Sequence, residues 1–123
     1  MTELLQALTA YLARAGLPVW QAGQIPDPAP FPYAAFTLTA APFGEPGTLE
    51  ITGWHLGPGA NAASAAYLDA LSTLIPPSGA LLPCPGGLAL LHPSSASIIT
   101  DGPAIGGRAR LDLRLYPKQA TPR

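Results

Sequence analysis

Hydrophobic and polar residues alternate without interruption over residues 108–116. A period of two is typical of a β-strand with one buried face. The pattern therefore predicts a strand whose leucines face a core and whose arginines face solvent or a partner. The buried set is Ala109, Leu111, Leu113 and Leu115, and the outward set is Arg108, Arg110, Asp112, Arg114 and Tyr116.

A helical period predicts α-helices in two other places. Residues 2–15 place apolar side chains three and four positions apart, with Thr2 as the N-cap and Gly16 as the C-cap. Residues 62–74 form an alanine-rich second helix, which Asn61 caps and Pro76 ends. The two apolar stripes are Leu4, Leu5, Leu8, Tyr11, Leu12 and Ala15 in the first helix, and Leu68, Leu71, Leu74 and Ile75 in the second.

Short strand patterns fill most of the remaining chain. We expect a strand at 19–22, and an antiparallel pair at 33–40 and 48–56. Between the first two, prolines at every second position of 25–32 exclude regular structure. The C-terminal half is predicted to contain a hairpin of 81–82 with 88–92, a polar loop at 94–97, a brief strand at 98–100, a turn at 101–103, and the turn residues Gly106 and Gly107 before the last strand.

Separate helices and hairpin-joined strands indicate an α+β fold, with two helices on one face of an antiparallel, possibly mixed, sheet. The length suits a single domain, which we place at residues 1–117, followed by a mobile tail at 118–123. No apolar run approaches the roughly 18 residues of a membrane span. No signal peptide is expected, and the single cysteine suits synthesis in a reducing cytoplasm.

Charge is sparse and unevenly placed. Charged residues make up 11% of the chain, against about 25% in an average protein. Residues 1–107 contain one basic and six acidic residues, for a net charge of −5, while residues 108–123 contain five basic and one acidic residue, for a net charge of +4. Such asymmetry favours a directional contact between copies or with a partner. It is too sparse to indicate a nucleic-acid-binding domain.

The sequence contains no recognisable enzyme motif, and we expect no catalytic residues, metal or cofactor. His55 and His92 lie on different predicted strands without further ligands at metal-site spacing. Cys84 is read as a buried or idle thiol, the alternative being a catalytic pair with one of the histidines. Trp20 and Trp54 are read as core residues, the alternative being anchors of an interface.

The outward residues of the last strand are the predicted protein–protein interface. One interpretation makes them a solvated face of an edge or surface strand. A second makes them meet acidic residues of a neighbouring copy or line a channel. A third is contact with nucleic acid, which overlaps the second because DNA could pass passively through such a channel. The residues concerned are Arg108, Arg110, Asp112, Arg114 and Tyr116.

The order of these features resembles the tail terminator proteins of long-tailed bacteriophages, also called minor capsid or tail completion proteins. The likeness spans nearly the whole chain as an order of features. It rests on the first helix (4–15), the segment 31–36, the Glu-containing strand at 48–56 with the alanine-rich helix 62–75 after it, Asp101-Gly102, Gly106-Gly107, and the Arg/Leu strand ending in Tyr116-Pro117.

The resemblance implies a non-enzymatic virion protein, made in a bacterial host, that assembles as a hexameric ring. Such a ring caps the head-proximal end of the tail tube, ends its polymerisation, and joins the tail to the head connector. Its implied partners are copies of itself, the tail tube protein and a head connector or neck protein, with no membrane. The alternatives are another neck or connector component and a small cellular α+β binding or enzyme domain.

Overall fold

The structure, a computed structural model, describes residues 2–39, 45–84 and 86–117. The elements are α1 (Thr2–Leu12), β1 (Val19–Gln21), β2 (Tyr33–Thr39), β3 (Pro46–His55), α2 (Ala60–Leu74), β4 (Ala80–Cys84), β5 (Gly87–Asp101) and β6 (Ala104–Pro117). The strands form one sheet in the order β1-β2-β3-β6-β5-β4, in which β1 and β2 are parallel and the other neighbours antiparallel. The predicted α+β class is therefore confirmed, with a mixed sheet. The predicted tail at 118–123 lies outside the described residues.

Both helices pack on the same face of the sheet and share one hydrophobic core. The predicted apolar stripes, together with Tyr67 of α2, supply the helical part of this core, and the alternating strand positions supply the rest. Removing this apolar surface from water is the main stabilising term, at about 25 cal/mol per Å². The most deeply buried side chains include Leu8 and Leu12 of α1, Leu71 of α2, Ile75 just after it, and Phe36, Leu49, Ile51, Leu91, Leu111 and Leu113 of the sheet.

The strand predicted at residues 108–116 is confirmed as part of β6, in the centre of the sheet. Its partners are β3 on one side and β5 on the other. Leu111 and Leu113 are buried in the core, while Ala109 and Leu115 are half-buried. The outward set has the opposite pattern: Arg110, Asp112, Arg114 and Tyr116 are exposed and Arg108 is half-buried.

The first helix ends as predicted, and the second begins two residues earlier than expected. Gly16 adopts the left-handed conformation with φ 108° and closes the 3-10 turn that follows α1. The side chain of the predicted N-cap Thr2 is outside the described part. Asn61 is not an N-cap, because the cap of α2 is Gly59 with φ 81°. A positive φ at this position suits glycine, which has no Cβ to clash with the backbone.

The predicted polar loop at 94–97 is wrong, because these residues belong to the long strand β5. That strand joins the predicted run 88–92 to the predicted run 98–100 and has one register shift, between Pro93 and Ser95. Serine has only modest strand propensity, but pairing with β6 satisfies its backbone N–H and C=O groups. The hairpin of β4 with β5 and the turn before Ala104 are confirmed.

Gly106 and Gly107 are inside β6, so their prediction as turn residues is wrong. A Cβ on Gly107 would lie 2.5 Å from the backbone oxygen of Ser64 in α2. A Cβ on Gly106 would instead meet side-chain atoms of Thr52 and Trp54. Gly107 is thus required because helix and strand backbones approach closely at this point.

Candidate protein interface on the outward face of the sheet

The outward face is the face of the sheet opposite the helices, and it holds all the predicted interface residues. Side chains directly opposite each other in neighbouring strands share a face. Arg108 and Arg110 lie opposite Thr52 and Glu50 of β3, and Asp112 lies opposite Thr48. Towards β5, Asp112, Arg114 and Tyr116 lie opposite His92, Leu90 and Leu88, respectively. The interface residues therefore line the middle of a continuous surface rather than an edge.

Glu50 holds two of the arginines on this surface. Its Oε2 accepts a hydrogen bond from Nη2 of Arg110 at 2.8 Å, and its Oε1 lies 3.6 Å from Nε of Arg108. Nε of Arg108 also donates to Oγ1 of Thr52 at 3.3 Å. Such half-exposed ion pairs contribute little to stability, about 0–1 kcal/mol each. Their effect is to orient the guanidinium groups along the sheet.

The intrachain pairs also reduce the positive charge that the sequence suggests for this surface. Three arginines of β6 share it with the carboxylates of Asp112 and Glu50, so these five groups together carry a formal charge of +1. Sequence reasoning missed Glu50 as a part of this site. Its outward position in the strand pattern was visible, but its register opposite Arg110 was not.

One corner of the outward face carries exposed apolar side chains. The apolar corner consists of Leu81 of β4, Leu88 and Leu90 of β5, and Tyr116 of β6, which are linked by the pairs Leu81–Leu90 and Leu88–Tyr116. Leu81 is 61% exposed, Leu88 and Tyr116 are each 40% exposed, and Leu90 is half-buried. A contiguous exposed apolar patch is typical of a protein contact surface. Of this group, only Tyr116 was predicted as an interface residue. The sequence does not show how the short predicted strands 81–82 and 88–92 align with their neighbours.

The opposite end of the outward face is aromatic. Trp54 lies opposite Tyr33, and Trp20 lies opposite Ala35. Both tryptophans are half-buried, and Nε1 of Trp20 is buried without a hydrogen-bond partner in the described structure. Burial, with a smaller effect of Asp101, raises the pKa of Tyr33. Neither tryptophan belongs to the hydrophobic core between the sheet and the helices, so their prediction as core residues is wrong, and their role as interface anchors stays a prediction.

The structure places a serine beside His55 that sequence reasoning did not single out. Oγ of Ser64 donates a hydrogen bond to the carbonyl of Ile105 at 3.1 Å and lies 3.3 Å from Nδ1 of His55. Ser64 is 0% exposed, so its hydroxyl does not face solvent. The contact ties α2 to the first residues of β6 and supports the close approach at Gly107.

The other residues considered for chemistry are separate from one another. Nε2 of His92 contacts the carbonyl oxygen of Ser78 at 3.2 Å. Cys84 is half-buried, and burial raises its pKa. Within 2–39, 45–84 and 86–117, no three His, Cys, Asp or Glu side chains are grouped so that they could hold a metal ion.

The raised pKa of Cys84 gives a testable reactivity. At pH 8 less of this thiol is ionised than in a free cysteine, and only the thiolate attacks a disulfide reagent. We expect labelling by an aromatic disulfide at pH 8 to be at least about threefold slower in the folded chain than in urea. The rate should keep rising above pH 9. Equal rates in the folded and unfolded chains would contradict the burial of this side chain.

None of the helices in the described ranges combines the length and the hydrophobicity of a membrane span. No protein-family model matches the sequence, and no curated protein matches it. Four chains of known structure do match. One of them has a TM-score of 0.55 and is 13% identical in sequence, and the match covers 99% of this chain and 94% of that chain. At this identity the likeness shows a shared fold over nearly the whole chain.

Proposed function

We propose that the protein is a structural subunit of a bacteriophage virion, located at the neck of the tail. In this proposal its copies form a ring, most simply a hexamer, on the head-proximal end of the tail tube. The ring ends tube polymerisation by occupying the site of the next tube subunit, and it presents a joining surface to the head connector. The action is steric, and no covalent bond is made or broken.

The observation that carries the proposal is the composition of the outward face. An exposed apolar corner beside oriented, half-neutralised charges is the usual anatomy of a protein interface, with an apolar centre and a polar rim. In the described residues, neither helix covers this face, since both pack on the other one. The kind of assembly, a ring on the tail tube, is suggested by the order of sequence features, which resembles that of tail terminators.

A cyclic ring requires that one surface of a subunit meets a different surface of the next. The distribution of charge suits such a contact. Arg110 and Arg114 are exposed on the outward face, while Glu3 of α1 and Asp69 of α2 are exposed on the helices, which pack on the other face. The arginine side of one copy can therefore meet an acidic side of the next. The other exposed acidic residues in the described ranges are Asp27 and Glu45, together with Asp101 and Asp112, whose registers place them on the outward face itself.

Reversing the charge of Arg110 and Arg114 to glutamate should weaken ring assembly. The double variant places two more carboxylates beside Glu50 and Asp112, so the contact with an acidic neighbour becomes repulsive. We expect the protein concentration needed for half-assembly to rise by about tenfold or more, which corresponds to about 1.4 kcal/mol. Size-exclusion chromatography with multi-angle light scattering measures the change.

Arg14→Glu is the matched control, because Arg14 is exposed in the 3-10 turn after α1, away from the outward face. Circular dichroism should show the same fold for all variants. Unchanged assembly of the double variant, or an equal loss in Arg14→Glu, would contradict the role of this face in the ring.

The biological role requires a test with the proposed partners. Purified protein added to polymerising tail tube subunits should shorten the tubes and appear as a ring at one end in electron micrographs. Binding to portal or connector protein without binding to tubes would indicate a different neck component. A chain that remains monomeric and binds neither would indicate a cellular α+β domain.

A further inference from the structure

The second half of β5 is a free edge of the sheet. Residues 95–101 pair with β6 on one side, from Ser95 opposite Arg110 to Asp101 opposite Ala104. On the other side, β4 pairs only with residues 87–91. Within the described chain, no strand covers the edge beyond Pro93. Such an edge presents unpaired N–H and C=O groups, which can accept another strand.

Between the register shift at Pro93 and Ser95 and the carboxylate of Asp101, this free edge lacks the usual protection against pairing. Proteins commonly block exposed edges with charged side chains, with proline, or with a covering loop. Residues 94–100 read Ser-Ser-Ala-Ser-Ile-Ile-Thr and contain neither a charge nor a proline. All of them except the half-buried Ile99 are exposed. The edge is thus accessible and neutral over seven residues.

An apolar groove runs beside the free edge on the helical side of the sheet. It has a volume of about 230 Å³ and is lined mainly by apolar side chains, including Leu68 and Leu71 of α2, Ile75 just after it, and Pro93 and Ala96 of β5. Ala96 and Ile98 point to this side, because they lie opposite Ala109 and Gly107. Ile98 is 41% exposed. A strand added to the edge would place every second side chain over the groove.

We propose that this edge pairs antiparallel with the same edge of a second copy, in a register centred on Ser97. In this register Ala96 of one copy lies opposite Ile98 of the other, and Ser95 lies opposite Ile99. Because both residues of the first pair face the helices, Ile98 of the second copy is placed beside Ala96, over the apolar groove. Ile98 of each copy is then buried against the apolar groove of the other copy.

Charge favours the second copy as the occupant. Antiparallel strands are destabilised where like charges lie directly opposite. A strand that carries no charge avoids this in every register with its own copy, and residues 94–100 are such a strand. The far edge of the sheet is β1, which has only three residues and offers few hydrogen bonds. The edge contact leaves the outward face open, so it goes beyond the proposed function and does not depend on it.

Disulfide trapping tests the two-fold register. In a Cys84→Ser background, Ser97→Cys places two thiols at the axis, where the same residue of both copies comes within the roughly 4–7 Å Cα distance of a disulfide. We expect Ser97→Cys to oxidise rapidly to a covalent dimer. The dimer yields of Ala96→Cys and Ile98→Cys should be at least about fivefold lower, because these positions are displaced from the axis. Equal yields at all three positions, or no dimer, would overturn the register.

Charge insertion tests the contact itself without a cross-link. Ile98→Lys should raise the dimer dissociation constant by about tenfold or more, because it removes the apolar contact with the groove and charges the edge. Leu56→Lys is the matched control, because Leu56 is also a large exposed apolar residue but follows β3, which β6 separates from the free edge. Sedimentation equilibrium measures both constants, and circular dichroism confirms the fold.

The outcomes separate this contact from the proposed ring. Arg114 lies on the outward face opposite Leu90, away from the free edge. Arg114→Glu should therefore leave the yield of the Ser97→Cys cross-linked dimer unchanged. Loss of ring assembly with retained cross-linking supports the edge contact independently. A wild-type chain without dimers at high concentration, or equal effects of Ile98→Lys and Leu56→Lys, would overturn it.

Discussion

Replacing Leu113 by alanine is expected to lower the free energy of unfolding by about 2–5 kcal/mol. Leu113 is 1% exposed on the central strand β6, where it lies opposite the buried Leu91. Truncation loses the transfer free energy of the side chain and leaves a cavity. Strands on both sides fix the backbone, so the cavity cannot collapse easily. Urea denaturation followed by circular dichroism measures the loss.

The matched control for this prediction is Leu81→Ala on the outward face, where the side chain is already in contact with water. We expect the control to cost less than about 1 kcal/mol and the dependence on urea to be similar in both variants. Equal losses in Leu113→Ala and Leu81→Ala would show that the leucines of β6 do not face the core.

The elements that could be predicted from the sequence are those whose own residues carry a strong period. In β6, the alternation of leucines with charged residues is sufficient, because each apolar side chain requires the same face. In α1, the stripe from Leu4 to Leu12 and the C-cap glycine identify the helix and its end. These local signals also gave the α+β class, since they separate helices from hairpin-joined strands.

The features that were missed depend on partners distant in the sequence. Ser94 to Ser97 has no period of its own and forms a strand only because β6 lies beside it. In the sequence, Gly107 resembles a turn residue. In the structure, its lack of a side chain allows the backbone of α2 at Ser64 to lie close to β6. No local pattern encodes either neighbour, because both come from the packing of the whole domain.

The candidate interface was predicted in part for the same reason. The alternation predicted that every second residue from Arg108 to Tyr116 lies on one face, and in the structure these residues do share the outward face. The two additions, Glu50 and the apolar corner, follow from the registers of β3, β4 and β5 against β6. The alignment of neighbouring strands is set by the packing of the whole sheet, so the sequence indicated which strand carries the site but not which residues of the neighbouring strands complete it.

Replacing Gly107 by alanine is expected to lower the free energy of unfolding by about 1–3 kcal/mol, and valine should cost more. The added Cβ would lie 2.5 Å from the backbone oxygen of Ser64 and 3.0 Å from Cγ of Leu68. A helix backbone cannot rotate away as a side chain does, so α2 must shift as a unit. That shift would also lengthen the hydrogen bond from Ser64 to Ile105.

Gly106→Ala provides a closely matched comparison for Gly107→Ala, one residue earlier in the same strand. The atoms nearest to its Cβ would be side-chain atoms of Thr52 and Trp54, at 2.6 and 2.9 Å, on the outward face. Because side chains there can adjust, we expect a smaller loss than for Gly107→Ala in urea denaturation. If Gly106→Ala proves as destabilising as Gly107→Ala or more so, the close packing of α2 on β6 is not what requires Gly107.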